Sequence, residues 1–194
     1  MALHPEVAMH PSKALAALVL LLVLMPGESR AECRQSFDLG LTEIAGIPHQ
    51  RTIRFDDPGL GVQFRFFAPG AAGNLSYIRF DMGHATVDAE IEAASREQIW
   101  QNIKIVADLN GVAIQGPARL DPYPAGDVVI TNDIFLGWSD DAVAVEFLGL
   151  GHDRNCLHEI RFTIVVPPQA DEIDAARSLY REILRTLAPY IETD

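Results

Sequence analysis

The densest chemistry in the chain lies between residues 152 and 158, where His152, Asp153, Cys156 and His158 fall within seven positions. Imidazole nitrogen, carboxylate oxygen and thiolate sulfur are the ligand atoms of zinc and related ions. Two features weaken that reading. Cys156 has another use, given below, and His158 alternates in phase with Ile160 and Phe162, which puts it on an apolar face. His152, Asp153 and His158 are therefore weak metal candidates, and the plainer reading is a hairpin loop with one core histidine. A histidine beside a carboxylate would also serve acid–base chemistry, and His84 or His152 with Asp81 or Asp153 would supply such a pair for a small hydrolase. Gly137-Trp138-Ser139-Asp140-Asp141 begins like a nucleophile elbow, but Asp141 stands where the second glycine belongs, so the segment reads as a turn. Asp108-Leu109-Asn110-Gly111 opens like a calcium loop without the later ligands or the terminal glutamate, and reads as a turn too. No residue is assigned a catalytic or cofactor-binding role.

The cysteines take their meaning from the N-terminus. Ala14–Met25 is an uninterrupted apolar run between Lys13 and Pro26-Gly27. It is too short for a spanning helix, which needs about 20 apolar residues. A basic start, a short greasy middle and the small-x-small sequence Ser29-Arg30-Ala31 form a secretory leader, residues 1–31, cleaved before Glu32. Met9 is an alternative start. Glu32 before Cys33 does not fit a lipid-anchor signal, so the expected product is periplasmic or secreted, with no stable membrane insertion after cleavage. In an oxidising compartment the chain's two cysteines, Cys33 and Cys156, are expected to form a disulfide. The chain-entropy model values such a long closed loop at about 4–5 kcal/mol.

Composition narrows the classes further. The 194 residues are 48% hydrophobic and 22% charged, with 27 acidic against 15 basic side chains and a formal charge of −12. This is a globular composition, and its acidity argues against a broad nucleic-acid surface, which needs clustered cations. Asn74-Leu75-Ser76 matches a glycosylation sequon that a bacterial leader would leave idle.

These residues must be positioned by the elements around them. Period-two alternation predicts strands over Arg51–Phe55, Gly61–Phe67 and Leu75–Asp81, the first two joined through the turn Asp56-Asp57-Pro58-Gly59. The period then changes: Val87, Ile91, Ala94, Ile99, Ile103 and Val106 form one helical stripe from Thr86, the expected cap, to about Val106. Strands follow over Val112–Ala118, Asp127–Phe135, Ala142–Leu148 and Leu157–Val166. The prolines and glycine of Asp121–Gly126 are expected to forbid regular structure. A final helix opens at Asp171, carries the stripe Ile173, Ala176, Tyr180, Ile183 and Leu187, and is expected to stop at Pro189. Arg54, Arg65, Arg79 and Arg161 are read as outward residues of a solvated face, pairing with Asp81, Glu146 and Glu159. With no linker or repeat, residues 32–194 make a single α+β domain. Its antiparallel sheet of about six to seven strands is packed by a mid-chain helix and a C-terminal helix, as an α/β/α sandwich or in two layers.

That order of elements resembles the PsbP-like and Mog-type α/β/α sandwich proteins. The resemblance is carried by AVAVEFLGLG from Ala142, CLHEIRFTIVVPP from Cys156 and DEIDAARSLYREIL from Asp171. They are similar to the grouping's closing strand pair, with Arg161 beside Thr163, and its alanine-rich final helix. The resemblance implies an exported bacterial protein with a sandwich fold. The grouping is functionally mixed, with photosystem II extrinsic subunits, a Ran-binding protein and exported proteins of no assigned activity, so it implies no catalytic set.

The functional expectation is a non-enzymatic accessory or binding domain whose partner is another envelope protein. Tyr123, between prolines, and Trp138 are the candidate recognition surface. The alternatives are the hydrolase with His/Asp residues and a weak metal carrier or sensor around His152.

Overall fold

The computed structural model describes Cys33 and residues 37–68, 73–139 and 141–191. The leader, its cleavage point, part of the loop after Ala68, and Asp140 lie outside the described residues. The described residues fall within one unit, Ala31–Asp194.

Eight strands occur among the described residues: β1 (Glu43–Ile44), β2 (Ile47–Arg54), β3 (Val62–Ala68), β4 (Gly73–Phe80), β5 (Ala113–Ala125), β6 (Val128–Trp138), β7 (Val143–His152) and β8 (Leu157–Val166). Two long helices accompany them, α1 (Ala89–Leu109) between β4 and β5, and α2 (Ala170–Ile191) after β8. The strands form one sheet in the order β1-β2-β3-β4-β8-β7-β6-β5. It consists of two antiparallel meanders, β1–β4 and β5–β8, joined along β4 and β8. That ladder runs from Gly73 opposite Ile164 to Phe80 opposite Leu157.

Strand alternation gives each helix its own face. On one face, Phe64, Leu75, Tyr77, Phe147, Ile160 and Phe162 pack under Tyr180, Ile183, Leu184 and Leu187 of α2. Phe147 stacks on Tyr180 with ring centroids 4.6 Å apart. On the other face, Phe80, Leu150 and Leu157 meet the Ile91 and Ile99 side of α1, while Phe135 and Leu148 pack on Ile103. The layers are therefore α/β/α. The polar residues of β2–β4, such as Arg51, Arg65 and Ser76, share the α1 face, which accounts for the alternating polar pattern of these strands.

Four sequence expectations are corrected. First, the sheet has eight strands rather than six or seven, because Glu43–Ile44, ahead of the first expected strand at Arg51, forms β1 against the start of β2. Second, β5 runs through Pro117, Pro122 and Pro124 to Ala125. It is the last strand of the sheet, where a missing N–H breaks no outer ladder, and its register shifts at Gln115/Ala118 and Leu120/Tyr123 absorb the rings. Third, α1 is capped by Asp88, whose carboxylate accepts from the Glu90 and Ile91 amides, both at 3.0 Å, in place of Thr86. Its buried side includes Ser95 and Arg96, while Val106 is exposed. Fourth, α2 continues past Pro189 to Ile191. A proline one turn from a helix end removes a single i→i−4 bond.

Two glycines are dictated by close approach. Gly61 has φ +64° and lies against the Arg79 carbonyl, leaving no room for a side chain. Gly149 lets the Tyr180 hydroxyl lie on β7: a Cβ there would fall 2.5 Å from that oxygen and 2.9 Å from Ile130. Gly149→Ala is expected to displace Tyr180, break its 2.9 Å bond to Asn132 and destabilise the fold by about 1–3 kcal/mol. A lowered urea midpoint with an unchanged slope would show it.

Candidate functional site

Three polar assemblies were built by this fold: one sealed, one tied to α1, and one open.

The sealed assembly lies beneath the β4–β8 ladder. Tyr77 and His158 are fully buried, and the Tyr77 hydroxyl stands 2.9 Å from His158 Nδ1. His158 Nε2 stands 2.9 Å from Asp153 Oδ2, and Asp153 Oδ1 accepts from the Asn155 and Cys156 amides, both at 2.6 Å. Burial would raise the Asp153 carboxyl, but the hydrogen bonds from His158 and the two amides hold it below the ordinary range. Burial lowers His158, partly opposed by Asp153, and burial raises Tyr77. The proton arrangement follows: ionised Asp153 accepts from Nε2–H of a neutral His158, whose Nδ1 accepts from Tyr77 O–H. This has the order of a nucleophile–base–acid relay, yet its hydroxyl end is closed to solvent. Arg79 packs beside it, 1% exposed, its guanidinium 4.1 Å from the Phe37 ring centroid and donating to Cys156 Sγ at 3.5 Å. The outward position expected for Arg79 is thus corrected. In β4, Tyr77 and Arg79 point into the α2-side core while Ile78 and Phe80 point the other way. Cys33 and Cys156 are disulfide-bonded with Cα atoms 5.3 Å apart, at the end of this network.

The second assembly ties α1 to the sheet. Arg96, 6% exposed, donates to Asp133 Oδ2 at 2.6 Å, to Glu92 Oε1 at 3.0 Å and to the Leu150 carbonyl at 3.0 Å, and also bonds Thr131. His152 Nδ1 meets Glu92 Oε2 at 2.6 Å, and Arg119 Nε approaches Asp133 Oδ1 at 3.2 Å. The donors of Arg96 are committed to groups of the protein itself, so its role is to fasten the helix to β6 and β7.

The third assembly is open. Where α2 passes β5, a cavity of about 450 Å³ has a floor of Leu120, Tyr123, Asn132, Tyr180 and Leu184. Arg119, Arg177, Arg181 and Arg185 also line it. Asn132 accepts from Tyr180 Oη at 2.9 Å and donates to the Asp121 carbonyl at 3.0 Å, which ties the floor to the edge strand.

The residues singled out from sequence are distributed among these assemblies. His152 and His158 lie on opposite faces of the sheet, His152 with Glu92 and His158 with Asp153, while Cys156 is in the disulfide. Among the described residues no three His, Cys, Asp or Glu side chains converge as a metal site would require. His84 is exposed beside a cavity of about 290 Å³ shared with Met82, Asp88 and Ser95, and the Asp81 carboxylate takes the Gly83 amide at 2.7 Å. Ser139 closes the β6–β7 turn through its amide and hydroxyl, both donating to the Ala142 carbonyl. Tyr123 is half-buried in β5 and lines the open cavity, whereas Trp138 packs on the core at the far end of β6. Sequence reading missed the arginine lining, although Arg177, Arg181 and Arg185 recur every four residues. No family model, curated protein or solved structure matches the chain.

Two substitutions test the buried groups. Tyr77→Phe removes the donor to His158 Nδ1 and is expected to cost about 1–3 kcal/mol in urea unfolding. Burial raises Glu159 to about 7, against attraction from Arg161. Between the ordinary carboxyl range and pH 7 the folded protein holds a proton there that the unfolded chain has released, so this contribution is complete at low pH and lost as pH rises to about 7. Glu159→Gln is therefore expected to raise Tm most above pH 7, by the equivalent of up to roughly 3 kcal/mol, and hardly at all near the ordinary carboxyl range. A pH-independent difference in thermal melts would contradict this.

Proposed function

We propose that the chain is an exported, non-enzymatic accessory or binding domain of the bacterial cell envelope, periplasmic or secreted. It engages its ligand or partner at the cavity between α2 and β5. The observation that carries the reading is the contrast between the polar assemblies. The group with the order of an acid–base relay, Tyr77–His158–Asp153, has its hydroxyl and imidazole buried completely. The open cavity presents arginines and a tyrosine, whose guanidinium forks and ring suit recognising and holding a ligand.

Export is supported by the leader pattern of residues 1–31 and by the Cys33–Cys156 disulfide, which persists in an oxidising compartment. Among the described residues no helix is long and apolar enough to cross a membrane. The PsbP-like grouping enters as a proposal about ancestry, supported by the order of strands and helices.

The test is site-specific crosslinking in the native envelope, with a photoreactive phenylalanine analogue replacing Tyr123 and, as control, exposed Leu60. A discrete adduct from position 123, absent from position 60 and resolved by mass spectrometry, is expected. Identical adducts from both positions, or none from either, would overturn the reading.

A further inference from the structure

Resting on the binding-domain reading, we infer that the α2–β5 cavity is a site for a small organic anion carrying two or more carboxylate or phosphate groups. The chain has a formal charge of −12, yet three of its fifteen basic side chains, Arg177, Arg181 and Arg185, line this one cavity from a single helix. Such a concentration runs against the composition and is a local electrostatic feature rather than a share of the average surface.

The arrangement within the cavity narrows the ligand. Arg177, Arg181 and Arg185 recur at i, i+4 and i+8 on α2, on one side of the helix and about 6 Å apart per step along its axis. Like charges at that spacing destabilise a helix, so the row is a cost to α2 unless something negative meets it. Asp174 does so for Arg177, at 3.0 Å. Arg181 and Arg185 make no ion pair among the described residues. Arg119, on β5, turns its guanidinium to Asp133 at 3.2 Å on the α1 face and leaves the row on α2 as the cavity's cationic wall.

Guanidinium forks match carboxylate and phosphate oxygens two at a time, so two neighbouring arginines suit two anionic groups on one molecule. The volume of about 450 Å³ is that of a small-molecule site. Leu120, Leu184 and the Tyr123 ring supply an apolar floor for a carbon body. Asp121 also lines the cavity, on β5 across from the arginines of α2.

The experiment uses the full, disulfide-bonded chain at low ionic strength, with citrate and pyrophosphate as probes in calorimetry and thermal melts. Acetate and sodium chloride at matched ionic strength are the controls. At least one probe is expected to bind saturably, at least tenfold more tightly than acetate. The double variant Arg181→Gln/Arg185→Gln is expected to lose at least tenfold in affinity while its urea midpoint does not fall. The ratio of citrate to pyrophosphate affinity assigns the ligand to carboxylate or phosphate chemistry. Equal binding by parent and double variant, a melt shift that sodium chloride reproduces, or no saturable binding of either probe would overturn the inference. The binding-domain reading stands apart from that failure: a site-specific Tyr123 adduct that survives in the double variant would keep the cavity as a binding site and reject the anion.

Discussion

The fold depends on one seam. Each four-stranded meander is built from neighbours in sequence, but β4 meets β8 only after α1 and the whole second meander have been made. The Tyr77–His158 bond across that seam joins residues 81 apart. Closing so long a loop carries an entropic cost before any contact rewards it, and central long-range pairing is the slow part of a sheet fold. The seam's chemistry answers that cost. Tyr77, His158 and Asp153 form a fully connected chain, so neither strand can leave without stranding a buried polar atom. Arg79 and the disulfide lie at the same end, where the bridge from Cys33 to Cys156 spans 123 residues of sequence.

A buried polar seam also decides which registers are possible. An apolar ladder slipped by two residues would keep its faces, because side chains repeat with a period of two. Here such a slip would separate Tyr77 from His158 and leave Arg79 away from Phe37 and the disulfide. The same reasoning applies on the other face, where Arg96 reaches carboxylates on α1 and β6 and a carbonyl of β7 at once. Both faces thus carry polar contacts that fix where their neighbours sit.

Much of this was legible in the sequence where one physical rule acted alone. The alternation of β8, from His158 to Val166, and the stripe of α2, from Ala176 to Leu187, survive intact because each segment lies against one continuous apolar surface. Reading failed where two rules competed. Prolines argue against strand, but β5 is the last strand and loses no outer ladder at Pro122 or Pro124. Charge argues for exposure, yet Arg79 and Arg96 are buried because the Phe37 ring and the Asp133 carboxylate that meet them come from distant segments. No local pattern announces such a partner. Val87 is buried in the cluster with Leu157, and the cap falls on the residue after it, Asp88, rather than on Thr86.

The arginine row was legible as a spacing but not as a site, and the reason is geometric. On an isolated helix, Arg177, Arg181 and Arg185 are what any solvated face displays. They become a concave wall only because β5 extends past its expected end and carries Leu120 and Tyr123 beneath them. The misread prolines and the unread site are therefore the same error. A strand assumed to end at Ala118 cannot form the opposite wall, so the cavity vanishes from the reading along with the strand. Recognition here is a property of the edge: the seam at the centre of the sheet buries the Tyr77–His158–Asp153 relay, and the outermost strand, with no further neighbour to pair, is where the fold has surface to give.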